Sequence, residues 1–352
     1  PERKKTEKNM VPPSSLSASN EFRLHWSLCP HTYIAPYIGT PLKVNGDINK
    51  PEWSRIPWSS PFGDITGKEE GGPLPTQKTQ MKMAWDDEYL YIAAIIHSDF
   101  PVLASFHDRN DPIYQRDSDF EVFIDPPHSC HNYKELEVNP INTVWNLMLN
   151  KPYEDDGQEH SGRIAKEGDS LYYEVRKQKT ATKILSGSVN NHEAGATAVW
   201  SVEIAMSHGD TLAHLSSNKP QVGDRWRINF SRVEKKGDIN WTWRPQIVWD
   251  PTQRKFVGKI NMHLPDAWGY LQFAPPLDMS DDQKNNSFIG EIDSNLQKYR
   301  DPSWPAKIVA MNIYYAQRQY KDSHPNGKYA STLEELGDLV NTDLVRPFTV
   351  ER

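Results

Sequence analysis

Long hydrophobic runs, dense basic segments and closely spaced cysteines are all missing from the sequence. No apolar run approaches the roughly 20 residues that a membrane-spanning helix needs, so no membrane span is expected. The net charge is −7, and the densest basic segment is PERKKTEK at the start. This balance argues against nucleic acid or an anionic membrane surface as a partner.

Cysteine is limited to Cys29 and Cys130. Their wide separation excludes a CxxC metal knuckle or redox pair, while a long-range disulfide and two buried thiols both stay open. A phosphate-binding loop, a dinucleotide-binding fingerprint and a G-x-S-x-G nucleophile elbow are also missing. The sequence therefore gives no positive support to nucleotide chemistry or to nucleophilic catalysis.

Aromatic residues are abundant, with 12 Trp, 15 Tyr and 11 Phe among 352 residues. Between Tyr33 and Phe273, short segments of alternating apolar and polar residues are separated by loops rich in Gly, Pro, Asn and Asp. The segments are MKMAW, LYIAAII, TVWNLML, WSVEIAM, RWRINFSRV and WGYLQF. This pattern predicts an all-β antiparallel sandwich, with Trp145, Leu147 and Leu149 pointing into its core.

The two ends of the chain differ from this pattern. The start is charged and then rich in Pro and Ser, which predicts a flexible lead-in. Beyond APP at 274–276, one helical face is marked by apolar residues at spacings of four, three and four: Trp304, Ile308, Met311 and Tyr315. Ser331 can cap a second, short helix. We therefore predict a lead-in over 1–32, a sandwich over 33–276 and a helical extension over 277–352.

The most acidic strand candidate is RDSDFEVFIDP, from Arg116 to Pro126. Its alternation separates two faces: Phe120, Val122 and Ile124 on one, Glu121, Phe123 and Asp125 on the other. Carboxylates at strand ends suit a structural calcium ion, with Asp117, Asp119 and Asp125 as candidate ligands, although no D-x-D-x-D-G loop is present. A catalytic carboxylate pair within 117–125 and plain solvated acids are the alternatives.

A second candidate for ligand contact is NWTWRPQIVWDP, from Asn240 to Pro251. Trp241, Trp243 and Trp249 share strand parity, so three indoles could stand along one face. Sugars stack their CH groups on flat aromatic rings, while polar side chains orient the hydroxyl groups. The alternative is that these indoles lie in the core, as most tryptophans of sandwiches do.

Five segments in this order resemble one family, the family 9 carbohydrate-binding modules and the DOMON-like sandwiches around them. The segments are VNGDINKPEWSRIPW (44–58), MAWDDEYLYIAAIIHSD (83–99), DSDFEVFIDP (117–126), YKELEVNPINTVWNL (133–147) and LPDAWGYLQF (264–273). The resemblance covers roughly residues 33 to 274. It implies a β-sandwich that binds an oligosaccharide or polysaccharide without catalysis.

The resemblance also implies where a sugar would lie. In the family the acidic strand borders the cleft, which assigns Glu121 to ligand contact together with Tyr114 or Gln115 just upstream. The second tryptophan of the family's aromatic clamp falls on Met262, and its hydroxyl-reading arginine falls on Glu137. Because these elements differ, reducing-end binding of the family's kind does not follow.

The sequence therefore predicts one carbohydrate contact surface, drawn from the cleft strands and the indole segment: Tyr114, Arg116, Glu121, Asn139, Trp243 and Trp249. A haem-binding electron-transfer domain is an alternative, for which Met81, Met83, Met148, Met262 and His263 are available as ligands. We expect no haem, because strand alternation accounts for the first three methionines. A glycoside hydrolase using the acids at 117–125 is a further alternative. The family's association with polysaccharide breakdown predicts a secreted or extracytoplasmic protein, and the oligomeric state is not predicted.

Overall fold

The computed structural model describes residues 22–193, 195–276, 289–292, 300–325 and 327–349, with the side chain of residue 236 left out. They form two compact units. A sandwich unit spans Pro30–Val248 and Phe256–Asp293, and a helical unit spans Pro1–Cys29, Trp249–Lys255 and Ser294–Arg352.

The sandwich unit is built around one large sheet that folds over on itself. One half contains β5 (Asp119–Asp125), β6 (Tyr133–Val138), β7 (Val144–Leu149), β8 (Glu159–His160), β11 (Arg225–Glu234) and β15 (Gly269–Pro276). The other half contains β3 (Thr79–Trp85), β4 (Tyr89–Ser98), β9 (Lys179–Ser186) and β10 (Ala198–Ser207). The strand β1 (Thr32–Tyr37) joins the halves, and the order is β8-β7-β6-β5-β11-β15-β1-β3-β4-β10-β9.

Several shorter strands and helices are also present. They are β2 (Gly63–Asp64), β12 (Ile239–Thr242), β13 (Ile247–Asp250), β14 (Lys255–Gly258), β16 (Gly290–Ile292), and the helices α2 (Pro51–Ser54) and α3 (His208–Thr211). Most strand pairs are antiparallel, and the predicted strand segments MKMAW and LYIAAII pair as the β3–β4 hairpin, with Trp85 opposite Leu90. The pairs of β1 with β15 and with β3 are parallel, whereas its pair with β16 is antiparallel.

The inner faces of the two halves form the main core. On β5 the residues Phe120, Val122 and Ile124 belong to this core, as the alternation predicts. From the other half Met81 and Met83 belong to it, and neither side chain is exposed. Both methionines are therefore core residues in apolar surroundings, as the alternation predicts. The β-sandwich fold predicted from the sequence is confirmed.

A second apolar cluster lies on the outer face of the β5–β6–β7 sheet. Its members are Ile65, Phe123, Tyr133, Trp145, Leu147, Leu149, Met262 and Trp268. The prediction that Trp145, Leu147 and Leu149 point into the main core is therefore wrong. Period-two alternation shows that these side chains share a face but cannot tell which face is covered.

The helical unit contains α1 (Arg23–Ser27), α4 (Trp304–Ser323), α5 (Leu333–Leu336) and α6 (Thr342–Thr349). Predicted helices in the C-terminal part are thus present, but the buried stripe of α4 runs through Pro305, Val309, Asn312 and Ala316. Trp304 is buried as predicted, but the rest of the stripe is shifted by one residue from the predicted Ile308, Met311 and Tyr315. Within it, Asn312 Oδ1 accepts a hydrogen bond from Asn341 N. Among the described residues, no helix is long and apolar enough to span a bilayer.

The predicted boundaries change in three places. Residues 1–21 of the lead-in lie outside the described residues, whereas 23–27 form the helix α1. Two contacts tie this helix to its unit: Trp304 Nε1 donates to His25 O, and His25 Nε2 contacts Leu344 O, each at 2.8 Å. The segment 249–255, predicted as sandwich, joins the helical unit. Thr332, rather than Ser331, caps α5 by accepting a hydrogen bond from Glu335 N.

Candidate functional site

A cavity of about 680 Å³ lies on the outer face of the β5–β6–β7 sheet. Glu121 and Phe123 of β5, Glu135 and Glu137 of β6, and Trp145 and Leu147 of β7 line it. Loops add Tyr114, Gln115, Tyr153, Arg163, Ile260, Asn261, Met262 and His263. The strands therefore supply a fixed floor, while the aromatic and polar loop residues form the walls.

Strand register concentrates carboxylates at this cavity. Glu121 lies directly opposite Glu137, and Phe123 lies opposite Glu135. Asp119 is two residues before Glu121 on β5 and shares its face. One carboxylate oxygen from each of Asp119, Glu121 and Glu137 lies within 4.8 Å of the other two. Like charges directly opposite each other on a sheet are destabilising, so this placement has a cost.

Burial changes the protonation of these acids. Asp119, Glu121, Glu135 and Glu137 are at most 5% exposed. Burial raises the pKa of Glu121 to about 7. Burial, and then repulsion from neighbouring carboxylates, raises the pKa of Asp119, Glu135 and Glu137 well above the ordinary carboxyl value. Desolvation therefore strongly disfavours the ionised form of these carboxyl groups.

Nearby positive charge does not compensate this penalty. His263 Nε2 lies 3.8 Å from Glu135 Oε2. Burial lowers the pKa of His263 to about 4, so the imidazole is neutral at pH 7. The one cavity-lining arginine, Arg163, forms its ion pair with Glu159. Within the described part of the chain, no Lys or Arg nitrogen lies within 4.0 Å of the four clustered carboxylates.

Aromatic side chains form the other part of the cavity wall. Tyr114 stacks on Trp145 with ring centroids 5.5 Å apart and planes 24° apart. Arg163 lies over the same indole at 5.1 Å. Tyr114 is 40% exposed, whereas Trp145 is buried beneath it. Tyr153 packs edge-on against His263 at 4.6 Å. An exposed ring over a rigid aromatic base can receive an apolar ligand face.

The residues that the family resemblance assigns to the cleft come together at this cavity. Tyr114, Gln115, Glu121, Glu137 and Met262 all line it, and Met262 is more than 100 residues away from the others in sequence. Tyr114 and Glu121 are members of the predicted contact surface. The backbone N–H of Tyr114 donates to Glu137 Oε2 at 3.3 Å, which ties the loop carrying the ring to β6.

Two other predicted contact residues lie away from the cavity. Arg116 is not among the lining residues, and its guanidinium stacks over Phe106 at 5.6 Å. Asn139 is fully buried and holds a turn, because its Oδ1 accepts hydrogen bonds from Ile141 N and Thr143 N. The structure gives both residues local contacts and does not bring them to the cavity.

The prediction that Trp243 and Trp249 face a ligand is corrected by their burial. Trp243 is 3% exposed and packs in the main core, edge-on to Phe230 at 6.0 Å. Trp249 is 5% exposed, lies in the helical unit and donates from Nε1 to Leu339 O at 2.7 Å. Trp241 is likewise a core residue. The core interpretation of this segment, which the sequence left open, is the one that the structure supports.

The predicted calcium ligands do not share a site. Asp117 accepts hydrogen bonds from Ser105 and Phe106 backbone N–H groups and from Asn139 Nδ2, so both of its oxygens hold a loop. Asp125, at the far end of β5, accepts from Cys130 N. Of the three, Asp119 alone lies in a group of carboxylates with metal-ligand spacing, and its partners are Glu121 and Glu137.

The sequence resemblance names Glu137 only as the position of the family's arginine, and Glu135, Tyr153 and Arg163 were missed. Glu135 and Glu137 alternate with Leu136 and Val138 in YKELEV, which signals one apolar and one acidic face. That signal was available, and pairing this strand with the acidic β5 would have concentrated the acids. Tyr153 and Arg163 come from a long polar loop and carry no local pattern that would have revealed them.

Comparison with known proteins adds a distant likeness. No protein-family model matches the chain, and no curated protein matches it. A structure from Bacteroides uniformis, provisionally described as a carbohydrate-binding protein, is similar to it at 13% identity and a TM-score of 0.48. The match covers 69% of this chain and 99% of that one.

The chain is also similar to a family 9 carbohydrate-binding module from Caldicellulosiruptor kristjanssonii. With cellotriose bound, that module is 18% identical, the match covers 71% of this chain and 96% of the module, and the TM-score is 0.39. With glucose bound, the identity is 18%, the coverages are 70% and 97%, and the TM-score is 0.40. The module's family is the one that the sequence segments resemble. At these TM-scores the likeness assigns no ligand to this chain.

Proposed function

We propose that the protein binds carbohydrate, without catalysis, in the cavity on the outer face of the β5–β6–β7 sheet. The observation that carries this proposal is the meeting of Tyr114, Glu121 and Met262 in one cavity. These are positions that the sequence resemblance had assigned independently to a sugar cleft.

The chemistry of the cavity supports the same ligand class. Tyr114 offers an exposed ring for the CH face of a sugar, and it is held by stacking on Trp145. Glu121 and Glu137 offer oxygens that accept hydrogen bonds from hydroxyl groups, and Arg163 offers donors. Binding sites for small polar ligands combine apolar walls with a few fixed polar groups in this way.

The test is isothermal titration with monosaccharides and oligosaccharides of several linkages, including glucose and cellotriose. Stacking on an aromatic ring is typically worth about 1–3 kcal/mol, by analogy with bases on aromatic side chains. Tyr114→Ala should therefore weaken binding roughly ten- to a hundred-fold. The melting temperature should stay nearly unchanged, because the ring is 40% exposed.

Tyr329→Ala is a matched control, because Tyr329 is 57% exposed and belongs to the helical unit. It should leave sugar binding as it is. Absence of binding to every plant, algal and microbial glycan tested would overturn the proposal. Equal affinity of the wild type and Tyr114→Ala would move the site elsewhere.

A glycoside hydrolase is the second candidate, favoured by the raised pKa of Glu121. A carboxyl group with a pKa of about 7 can serve as a general acid at neutral pH. Turnover of a polysaccharide by the wild type, abolished in Glu121→Gln, would establish this activity. Sugar binding without turnover would favour the binding protein.

A secreted or extracytoplasmic location and a role in polysaccharide breakdown belong to the same proposal. Both follow from the sequence resemblance and from the proposed ligand. Fractionation of cells that express the native gene would locate the protein, and growth on the bound polysaccharide would test the role.

A further inference from the structure

We propose that Asp119, Glu121 and Glu137 bind a divalent cation, for which Ca²⁺ has the best-matching chemistry, beside the outer-face cavity. This inference is independent of sugar binding, because it rests on the carboxylates alone. It replaces the predicted ligand set of Asp117, Asp119 and Asp125, which the fold does not bring together.

The first observation is the spacing of the oxygens. Three carboxylate oxygens from two neighbouring strands lie within 4.8 Å of one another. Calcium binds oxygen at 2.3–2.6 Å, so two ligands on opposite sides of the ion are separated by about 4.8 Å. The three oxygens therefore lie no farther apart than ligands of a single ion do.

The second observation is that buried oxygens beside this group lack hydrogen-bond donors. Among the described residues, Asp119 Oδ2 has no hydrogen-bond partner, although Asp119 is fully buried. Glu135 Oε2 also has none, and Glu135 is 5% exposed and lines the same cavity. Buried polar atoms are almost always paired, and each exception in a folded protein calls for a cause.

A purely structural role explains the cluster less well. A stabilising carboxylate is normally surrounded by N–H groups or cations, as Asp117 is in this protein. Asp119 has a single backbone donor, Val233 N at 3.1 Å, to its Oδ1. A bound cation would offset the mutual repulsion of the acids and use the oxygens that no donor reaches.

The ligand atoms favour a hard cation. All three are carboxylate oxygens, and no thiol or imidazole belongs to the group. Zinc and copper prefer nitrogen and sulfur, whereas calcium and magnesium prefer oxygen. Three carboxylates leave part of the six to eight positions of calcium open, and Glu121 and Glu137 face a cavity large enough for water or a ligand hydroxyl.

The experiment uses the full chain, stripped of metal with EDTA and exchanged into metal-free buffer at pH 7.5. Isothermal titration with CaCl₂, without sugar, measures binding, and thermal unfolding with and without CaCl₂ gives a second readout. We expect one saturable site in the wild type and a melting temperature that rises with CaCl₂. Glu137→Gln and Asp119→Asn should each weaken calcium binding at least tenfold.

Glu167→Gln is the matched control, because Glu167 is an exposed acid whose side chain pairs with the exposed Arg176. It should bind calcium as the wild type does. Absence of saturable heat and of a thermal shift at millimolar CaCl₂ in the wild type would overturn the inference. So would undiminished binding in both Glu137→Gln and Asp119→Asn, provided that both variants unfold cooperatively.

Sugar titrations in EDTA and in CaCl₂ separate this inference from the proposed function. Calcium binding with no sugar binding in either buffer would uphold the cation site and overturn the carbohydrate proposal. Sugar binding with no calcium binding would do the reverse.

Discussion

Two sets of buried carboxylates in the sandwich unit differ in what surrounds them. Glu203 and Glu291 are enclosed by donors and cations. Glu121 and Glu137 lie among other acids, and they accept hydrogen bonds from the Ser231 side chain and from Tyr114 N, respectively. All four belong to the same unit and are largely withdrawn from water, so the difference lies in their partners.

Glu203 shows the first kind of environment. It accepts hydrogen bonds from Asn45 N at 2.8 Å, Gly46 N at 3.1 Å and Trp53 Nε1 at 2.8 Å, and Lys50 Nζ lies 2.6 Å away. One carboxylate thus fastens the loop around Asn45 and the short helix α2 to strand β10. Every partner is oriented by the backbone or by packing, which is typical of a carboxylate that stabilises the fold.

The acid cluster shows the second kind. Glu121 lies opposite Glu137 on the neighbouring strand. His263, 3.8 Å from the adjacent Glu135, is neutral at pH 7 because burial lowers its pKa to about 4. A carboxylate in this setting costs stability unless something outside the chain completes it. Burial is therefore common to both sets, and they differ in how many donors and cations surround each carboxylate.

The largest expected effect on the free energy of unfolding concerns Glu203, which donors and a cation surround. Glu203→Gln removes the charge that Lys50 and three N–H groups surround, and hydrogen bonds to charged groups contribute about 1.5–3 kcal/mol. We expect a loss of about 2–3 kcal/mol in the free energy of unfolding, measured by urea denaturation at pH 7. Glu167→Gln, at the exposed pair with Arg176, should change it by less than about 0.5 kcal/mol. Equal effects of the two substitutions would show that the donors and the cation around Glu203 do not stabilise the fold.

Glu291 gives a smaller effect with a defined pH dependence. Burial alone would raise its pKa, but hydrogen bonds from His31 and Ser60 outweigh burial and lower the pKa to about 2, from 4.5 in the unfolded chain. A lowered pKa means that ionised Glu291 stabilises the fold above about pH 4.5 and that this stabilisation is lost as the pH falls towards 2.

Glu291→Gln should therefore cost about 1–2 kcal/mol at pH 7, which is below the full linkage value because part of the hydrogen bonding survives in the amide. Urea denaturation of both proteins between pH 3 and pH 7 measures the difference. The gap should narrow as the pH falls. A gap that stays constant across this range would contradict the assignment of the effect to the charge of Glu291.

The smallest effect on the free energy of unfolding, and one of opposite sign, is expected at the acid cluster of Asp119, Glu121 and Glu137. Glu137→Gln in metal-free buffer removes one of several repelling carboxylates, so the free energy of unfolding should stay unchanged or rise by up to about 1 kcal/mol. Thermal and urea unfolding at pH 7.5 measure it. A loss above 2 kcal/mol would place Glu137 with Glu203 as a stabilising residue and remove the contrast between the two sets.

Strand alternation allowed much of the sandwich to be predicted. The strands β3 and β4, the apolar face of β5 and the helix α4 all follow from periodicity within single segments. Periodicity does not show which side of a sheet is covered by other chain segments. For that reason alternation predicts Trp145 in the main core, and helical spacing predicts the stripe of α4 one residue away from its observed position.

The candidate site, too, could be predicted from the sequence only in part. Tyr114 and Glu121 were named from a motif near one strand, and both line the cavity. Trp243 and Trp249 were chosen because three indoles shared a parity, but parity gives no exposure, and both are buried. The cluster was foreseen only in part, because it needs β5 and β6 in one register.

The sequence by itself determined which residues alternate, where the strands lie and that one strand carries an unusual number of acids, because these are properties of neighbouring residues. Tertiary structure alone decided that Glu121 meets Glu137, that Met262 and Tyr114 share a cavity, and that Asp117 holds a loop instead of a metal. Those outcomes depend on strand register and on loops distant in sequence, and the physical reason is that burial and electrostatic coupling act across space between groups that the chain order keeps apart.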